Sequence, residues 1–186
     1  MQTDLLRKYA VPGPRYTSYP TVPYWDSGRP EEESWENRSL QTYLRNNGEN
    51  GISLYIHLPY CESLCTYCGC TTRITRNHLV EKPYILAVLN EWSKYLDLFA
   101  TTPRLAELHL GGGTPTFFSP ENLKFLLDGI LGTVVVTPDA EFSFEGHPGN
   151  TTREHLETLF ELGFRRVSFG IQDFDVKVQD AIHRFQ

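Results

Sequence analysis

Four cysteines, Cys61, Cys65, Cys68 and Cys70, fall within ten residues, CESLCTYCGC, and the rest of the sequence has none. The spacing C-x3-C-x2-C-x-C lets three thiolates wrap one metal centre from a single loop. Thiolate is the donor that iron–sulfur clusters and zinc both favour. A structural zinc site usually draws two ligand pairs from separated segments. No second pair exists here, and the nearest histidines, His57 and His78, fall on a strand and in a following loop. The spacing alone leaves a cluster, a zinc site, and a redox or incidental set of thiols all open. If only Cys61, Cys65 and Cys68 bind, a cubane cluster keeps one iron without a protein ligand, free to take a small molecule.

The elements that must hold this loop can be read from periodicity. Apolar runs predict strands at Ile52–Leu58, Ala106–Leu110, Glu141–Phe144 and Arg166–Ile171. Amphipathic segments predict helices at Lys82–Phe99, Pro120–Leu131 and Arg153–Leu162, with a further one beginning in Asp175–Phe185. Ser119, before Pro120, suits an N-cap, and Thr151 or Thr152 suits the next. Strict alternation of strand and helix predicts an α/β fold of right-handed βαβ units around a parallel sheet or barrel. Each strand is followed by a chemically distinctive segment: the cysteine loop, Gly111–Pro115 (GGGTP), Glu145-Gly-His-Pro, and Gln172-Asp. Ligands of such folds collect at the carboxyl ends of strands, so these four segments describe one shared site.

Residues 1–50, rich in Pro, Gly, Tyr and charge, read as an extended arm with at most one short helix near Ser34–Asn46. The division expected is therefore an arm over 1–50 and an α/β domain over 51–186. Seventeen Lys and Arg against 23 Asp and Glu give a net charge of −6 with no basic block, which argues against a nucleic-acid partner. No apolar run approaches the roughly 18–20 residues of a membrane span, and the first residues lack a signal-peptide core. The expected location is the cytoplasm, with no membrane partner. In that reducing setting clustered thiols serve more often as metal ligands than as disulfides.

The C-x3-C-x2-C loop after the first strand and GGGTP after the second resemble the radical S-adenosylmethionine (SAM) enzymes. Within them, PGPRYTSYPT in the arm, the extra Cys70, and SFGIQDFDVKVQDAIHR near the end resemble the oxygen-independent coproporphyrinogen III oxidases. The resemblance extends from about Lys8 to Gln186. It implies a partial (β/α) barrel, with about four βα units present. It also implies that Cys61, Cys65 and Cys68 hold a [4Fe–4S] cluster whose fourth iron chelates the amino and carboxylate groups of SAM. Reductive cleavage of SAM then releases a 5′-deoxyadenosyl radical, which abstracts hydrogen from a propionate β-carbon. Loss of CO2 leaves a vinyl group, and two such events give protoporphyrinogen IX. The cofactor carries the hard chemistry, and the protein binds and orients.

Carried over position by position, the resemblance implies that Tyr55, Tyr67, Gly112 and Glu145 contact the cluster-bound SAM. It further implies a second SAM at Gly113, Thr114, Gln172 and Arg184. A porphyrinogen substrate and an electron donor and acceptor are the implied partners, with Arg15 and Arg73 as cations for a tetracarboxylate. No catalytic side chain is assigned. His57 and His147 read as hydrogen-bonded structural histidines, and Cys70 as a residue near substrate or the second SAM. Haem chaperones share CxxxCxxC and GGGTP but generally lack the arm and fourth cysteine. A haem-binding chaperone or another porphyrin-directed radical SAM enzyme is the alternative. Two features depart from the resembled enzymes. Many of them carry an acidic residue at the position of His147, and they are more than twice as long. The expectation is that this chain corresponds to their N-terminal portion and does not convert the substrate alone.

Overall fold

The computed structural model describes Lys8, residues 32–48 and residues 50–186. PGPRYTSYPT, Arg15 and most of the expected arm lie outside the described residues. The predicted short helix is α1, Glu32–Asn46. From Glu36 to Gln186 the chain forms one compact unit. Its elements are β1 (Ile52–Leu58), β2 (Tyr60–Cys61), β3 (Arg73–Ile74), α2 (Glu81–Phe99), β4 (Arg104–Gly112), α3 (Pro120–Leu131), β5 (Val135–Gly146), α4 (Arg153–Glu161), β6 (Arg166–Phe169) and α5 (Val176–Ala181).

The main sheet is wholly parallel, in the order β1-β4-β5-β6. Spatial order follows chain order, so right-handed crossovers carry every connecting helix to the same face. That is the winding of an incomplete (β/α) barrel. α2 packs on α3 and α3 on α4, and between helices and sheet lie Leu58, Ile85, Leu105, Leu108, Leu110, Leu123, Leu126, Leu127, Ile130 and Leu159, all essentially without exposure.

The strands alternate, although parallel strands usually read as continuous apolar runs because both their faces are covered. Ile56 and Leu58, Leu108 and Leu110, and Phe142 and Phe144 turn to the helices. Tyr55 and His57, Glu107 and His109, and Ser143 and Glu145 occupy the intervening positions and form a polar opposite face. Register places Tyr55 beside His109 and His109 beside Ser143. A cleft of about 500 Å³ on this face is lined by Ser53, Tyr55, Glu107, His109, Ser143 and Arg166, among others.

Helix starts follow the predicted chemistry. Ser119 caps α3 by accepting from the Asn122 amide, with Pro120 in the first turn. Thr152 caps α4, and His155 completes a capping box from the third helical position. Because His155 Nδ1 accepts from the Thr152 amide, its Nε2 carries the proton donated to Phe118 O at 2.9 Å.

The last predicted strand ends at Phe169 rather than Ile171, and the last helix spans only Val176–Ala181, closed before His183 at φ +53°. Two further features depart from the predicted elements. The third strand starts at Val135 rather than Glu141, because Val135 and Val136 pair with Arg104 and Leu105 before the register jumps to Glu107↔Glu141. Pro138, which has no amide to donate, lies within this excursion. The short parallel pair β2–β3 was not predicted; two residues give no periodicity to read.

Glu81 is 1% exposed at the start of α2. It accepts from the Ser119 amide (2.9 Å) and Asn122 Nδ2 (2.7 Å), and lies 2.6 Å from His78 Nδ1. It therefore ties the segment after the cysteine loop to the start of α3. Glu81→Ala strands buried donors, each costing about 1–3 kcal/mol. Urea unfolding should show the variant destabilised by roughly 2–4 kcal/mol on that basis, with Glu81→Gln between it and the parent chain.

Candidate functional site

The cysteine loop begins at a close contact of two backbones. After β1, Pro59, Tyr60 and Cys61 run against the glycine turn that follows β4. The Gly113 amide donates to Leu58 O (2.9 Å) and the Thr114 amide to Tyr60 O (3.0 Å). Thr114 is buried, and its hydroxyl lies 3.2 Å from Cys61 Sγ. A methyl group on Gly113 would meet Pro59 O at 2.5 Å and Cys61 Sγ at 3.0 Å. Gly112 has φ +120°, where a side chain is strained, and a methyl there would meet His57 and the Leu58 amide at 2.9–3.0 Å. Both glycines are thus required by the chain's own packing, before any ligand is considered.

The loop is then closed and tethered. Arg73 N donates to Pro59 O and Thr75 N to Cys61 O, so β2–β3 joins its two ends. Inside it the Cys68 amide donates to Cys65 O (3.1 Å). Three ties hold it to other elements: His57 Nε2 to Thr71 O (2.8 Å), Asn150 Nδ2 to Glu62 Oε1 (2.9 Å), and Thr66 N to Ile182 O (3.0 Å).

Burial pushes the Cys61 thiol up, the Thr114 hydroxyl opposes this, and charge on Cys68 and Cys65 pushes it up further. Cys70 is also raised, by burial first and then by Cys68, Glu145 and Cys61. The four sulfurs therefore share one neighbourhood, which Glu145 also influences electrostatically. Among the described residues no three His, Cys, Asp or Glu side chains are gathered closely enough to hold a single metal ion. The donor set, four thiols on one tethered loop beside a glycine turn, is of the kind that iron–sulfur clusters favour.

Tyr55, Gly112 and Glu145 meet on the polar face of the sheet. Tyr55 OH lies 3.0 Å from His57 Nδ1. Since Thr71 O can only accept, His57 Nε2 is the protonated nitrogen and Nδ1 accepts from the tyrosine hydroxyl. Both ring nitrogens are engaged, as a structural histidine requires, and the ring also fixes a site residue. Burial raises the Tyr55 pKa, with Glu145 and Cys70 adding to it. Glu145 Oε2 accepts from the Gly112 amide at 3.4 Å, and its Oε1 is 3.8 Å from His109 Nε2. His109 in turn stacks on Tyr55, with ring centroids 5.8 Å apart, and places Nδ1 2.7 Å from Ser143 Oγ. Sequence reasoning missed His109 and Ser143; the polar alternation within apolar strands was the available signal.

Tyr67, an exposed residue of the loop, has its pKa raised first by burial and then by Cys65. Arg184 forks onto Gly170 O through Nε (3.0 Å) and Nη2 (2.6 Å), with Nη1 3.8 Å from Cys65 Sγ. Gln172 is exposed at φ +68° on the same segment. Gly113 and Thr114 are on the Cys61 side of the loop, while Gln172 and Arg184 are on the Cys65 side.

His147 is held neutral, its pKa lowered to about 4, first by burial and then by the charge of Arg184. Its Nδ1 accepts from the Gly149 amide (3.0 Å), which needs the unprotonated nitrogen.

The family model described as the Radical SAM superfamily matches residues 55–186. Oxygen-independent coproporphyrinogen III oxidase of Helicobacter pylori strain J99 is 41% identical over 194 residues, which cover all of this chain and 41% of the relative. The enzymes of that name from Synechocystis and from Escherichia coli K12 are each 36% identical, covering 98% of this chain and 38% of theirs. A solved structure of coproporphyrinogen III oxidase from Escherichia coli, described as a radical SAM enzyme, superposes with a TM-score of 0.80. It is 31% identical over 98% of this chain and 39% of that one. The chain thus spans about two fifths of the length of the curated relatives it matches. No helix among the described residues is long and apolar enough to cross a membrane.

Two measurements check this geometry. Gly113→Ala should lose about 1–3 kcal/mol of stability through overpacking, whereas Gly69→Ala, with open space around it, should unfold like the parent. For His147, the unfolded chain takes up its proton near pH 6.5 and the folded chain near 4. Its contribution therefore makes stability fall as pH falls between those values, and level off below. Histidine NMR should show one ring neutral down to about pH 4, and titration of every histidine near 6–7 would contradict the assignment.

Proposed function

Because this chain belongs to the radical SAM superfamily, we propose that it forms the cluster- and SAM-binding part of an oxygen-independent coproporphyrinogen III oxidase. The observation that carries this reading is the tethered loop with Cys61, Cys65 and Cys68, set against the Gly112–Glu145 edge of the polar face. In this reading Cys61, Cys65 and Cys68 are the three ligands of a [4Fe–4S] cluster. When bound, cluster and SAM supply one-electron cleavage of the sulfonium carbon–sulfur bond, the chemistry used to oxidise two propionates of coproporphyrinogen III to vinyl groups.

The residues of this chain bind and orient. Gly112 offers a backbone edge without a side chain, and Glu145, already accepting from the Gly112 amide, is placed to take a cationic or hydroxyl group of SAM. Tyr55, fixed by His57, and Tyr67, within the loop, supply aromatic surface. A second SAM is assigned to Gly113, Thr114, Gln172 and Arg184. Arg73, exposed on β3, is the described candidate for a substrate carboxylate. The arm over 1–50, an electron donor and acceptor, and a cytoplasmic location complete the proposal.

Cys70 is not a ligand in this reading. After anaerobic reconstitution, Ala substitution of Cys61, Cys65 or Cys68 should abolish bound iron and sulfide, and Cys70→Ala should retain them. Equal loss in all four would overturn the three-ligand assignment. Reduced, reconstituted protein should then release 5′-deoxyadenosine from SAM slowly, without CO2 from coproporphyrinogen III. Haem uptake with no release of 5′-deoxyadenosine would support the chaperone instead.

A further inference from the structure

Arg184 reaches a cysteine of the loop, and its guanidinium is fixed by hydrogen bonds. Its guanidinium is anchored twice on Gly170 O (3.0 and 2.6 Å), which aims Nη1 at Cys65 Sγ, 3.8 Å away. One residue past Cys65, the Thr66 amide donates to Ile182 O at 3.0 Å. The turn that carries Arg184 is therefore bonded to the loop by its backbone as well. A methyl group on Gly170 would meet Arg184 Nη2 and Gln172 Nε2, each at 3.0 Å, so the absence of a side chain there leaves the guanidinium its slot. The charge reaches beyond Cys65, since it favours the anionic form of both Cys61 and Tyr67.

We propose that Arg184 is a positioning residue that holds a fixed positive charge against Cys65 and so raises the reduction potential of the cluster the loop carries. The proposal rests on the reading that Cys61, Cys65 and Cys68 hold that cluster. It assigns Arg184 a task that is complete before any SAM arrives. One-electron reduction adds negative charge to the irons and their thiolate sulfurs, and a cation fixed beside one of those sulfurs stabilises the reduced state more than the oxidised one. Net charge, hydrogen bonds to sulfur and solvent exposure are the protein's means of setting such potentials. An Nη1–H directed at Cys65 from a half-buried guanidinium supplies the first two together.

The test is the midpoint potential of the reconstituted chain in the absence of SAM, read by electron paramagnetic resonance during a redox titration. Arg184→Gln removes the charge and should make reduction at least about tenfold less favourable, or about 59 mV more negative for a one-electron step. Arg184→Lys keeps the charge without the fork and should fall between. Gly170→Ala retains the arginine but crowds it, and should move the potential in the same direction by less; it decides the matter if Arg184→Gln fails to load. In the cluster-free chain, hydrogen exchange at the Thr66 amide should quicken in Arg184→Gln. A parent chain that binds no iron and sulfide overturns the cluster reading and this proposal together. A loaded chain whose potential is unchanged by these substitutions overturns the proposal alone.

Discussion

Everything at this site depends on how closely two backbones approach. The Gly113 and Thr114 amides donate to Leu58 O and Tyr60 O at 2.9 and 3.0 Å, and a single added carbon at Gly113 would fall 2.5 Å from the Pro59 carbonyl oxygen. No side chain can be interposed without moving β1 against β4. This contact fixes where the cysteine loop leaves the sheet, and it brings Thr114 onto the first cysteine. The later ties, at Thr71, Glu62 and Thr66, hold a loop whose origin is already set.

From that origin the polar face follows by register. Tyr55, His109 and Ser143 are cross-strand neighbours, and a parallel sheet repeats that relation at every second residue, so His57, Gly111 and Glu145 come next toward the loop. Two neutral-capable histidines link these positions: His57 joins Tyr55 to the loop, and His109 joins Ser143 to the neighbourhood of Glu145. The result is a row of oriented groups between sheet and cysteines, with the helices and their leucines confined to the other face. Burial first, and then the negative charge of Glu145 and neighbouring thiolates, raises the pKa of Tyr55 and Cys70 here.

Much of this was legible in the sequence, for reasons that can be named. Strand β1 and helix α3 fall at their predicted bounds because Gly51 and Ser119-Pro120 mark their starts in local chemistry. Thr152 was one of two equal candidates until His155 closed the capping box. The β5 extension was not legible, because Thr137-Pro138-Asp139 reads as a turn and only pairing with Arg104 and Leu105 makes Val135 and Val136 a strand. Glu81 was not legible either: its partners, Ser119 and Asn122, lie 38 and 41 residues away. Gly112 and Gly113 read from sequence as ligand-approach positions, and the structure adds that their own packing already forbids a side chain.

The proposed opening of one iron to SAM among three thiolates is tested by electron paramagnetic resonance of the reduced, reconstituted chain with and without SAM, using SAM labelled with nitrogen-15 at the amino group and resolving electron–nuclear couplings. The expected result is a changed cluster spectrum on adding SAM and a nitrogen-15 coupling that shows the amino group bound to iron. A cluster spectrum indifferent to SAM, with no such coupling, would contradict it.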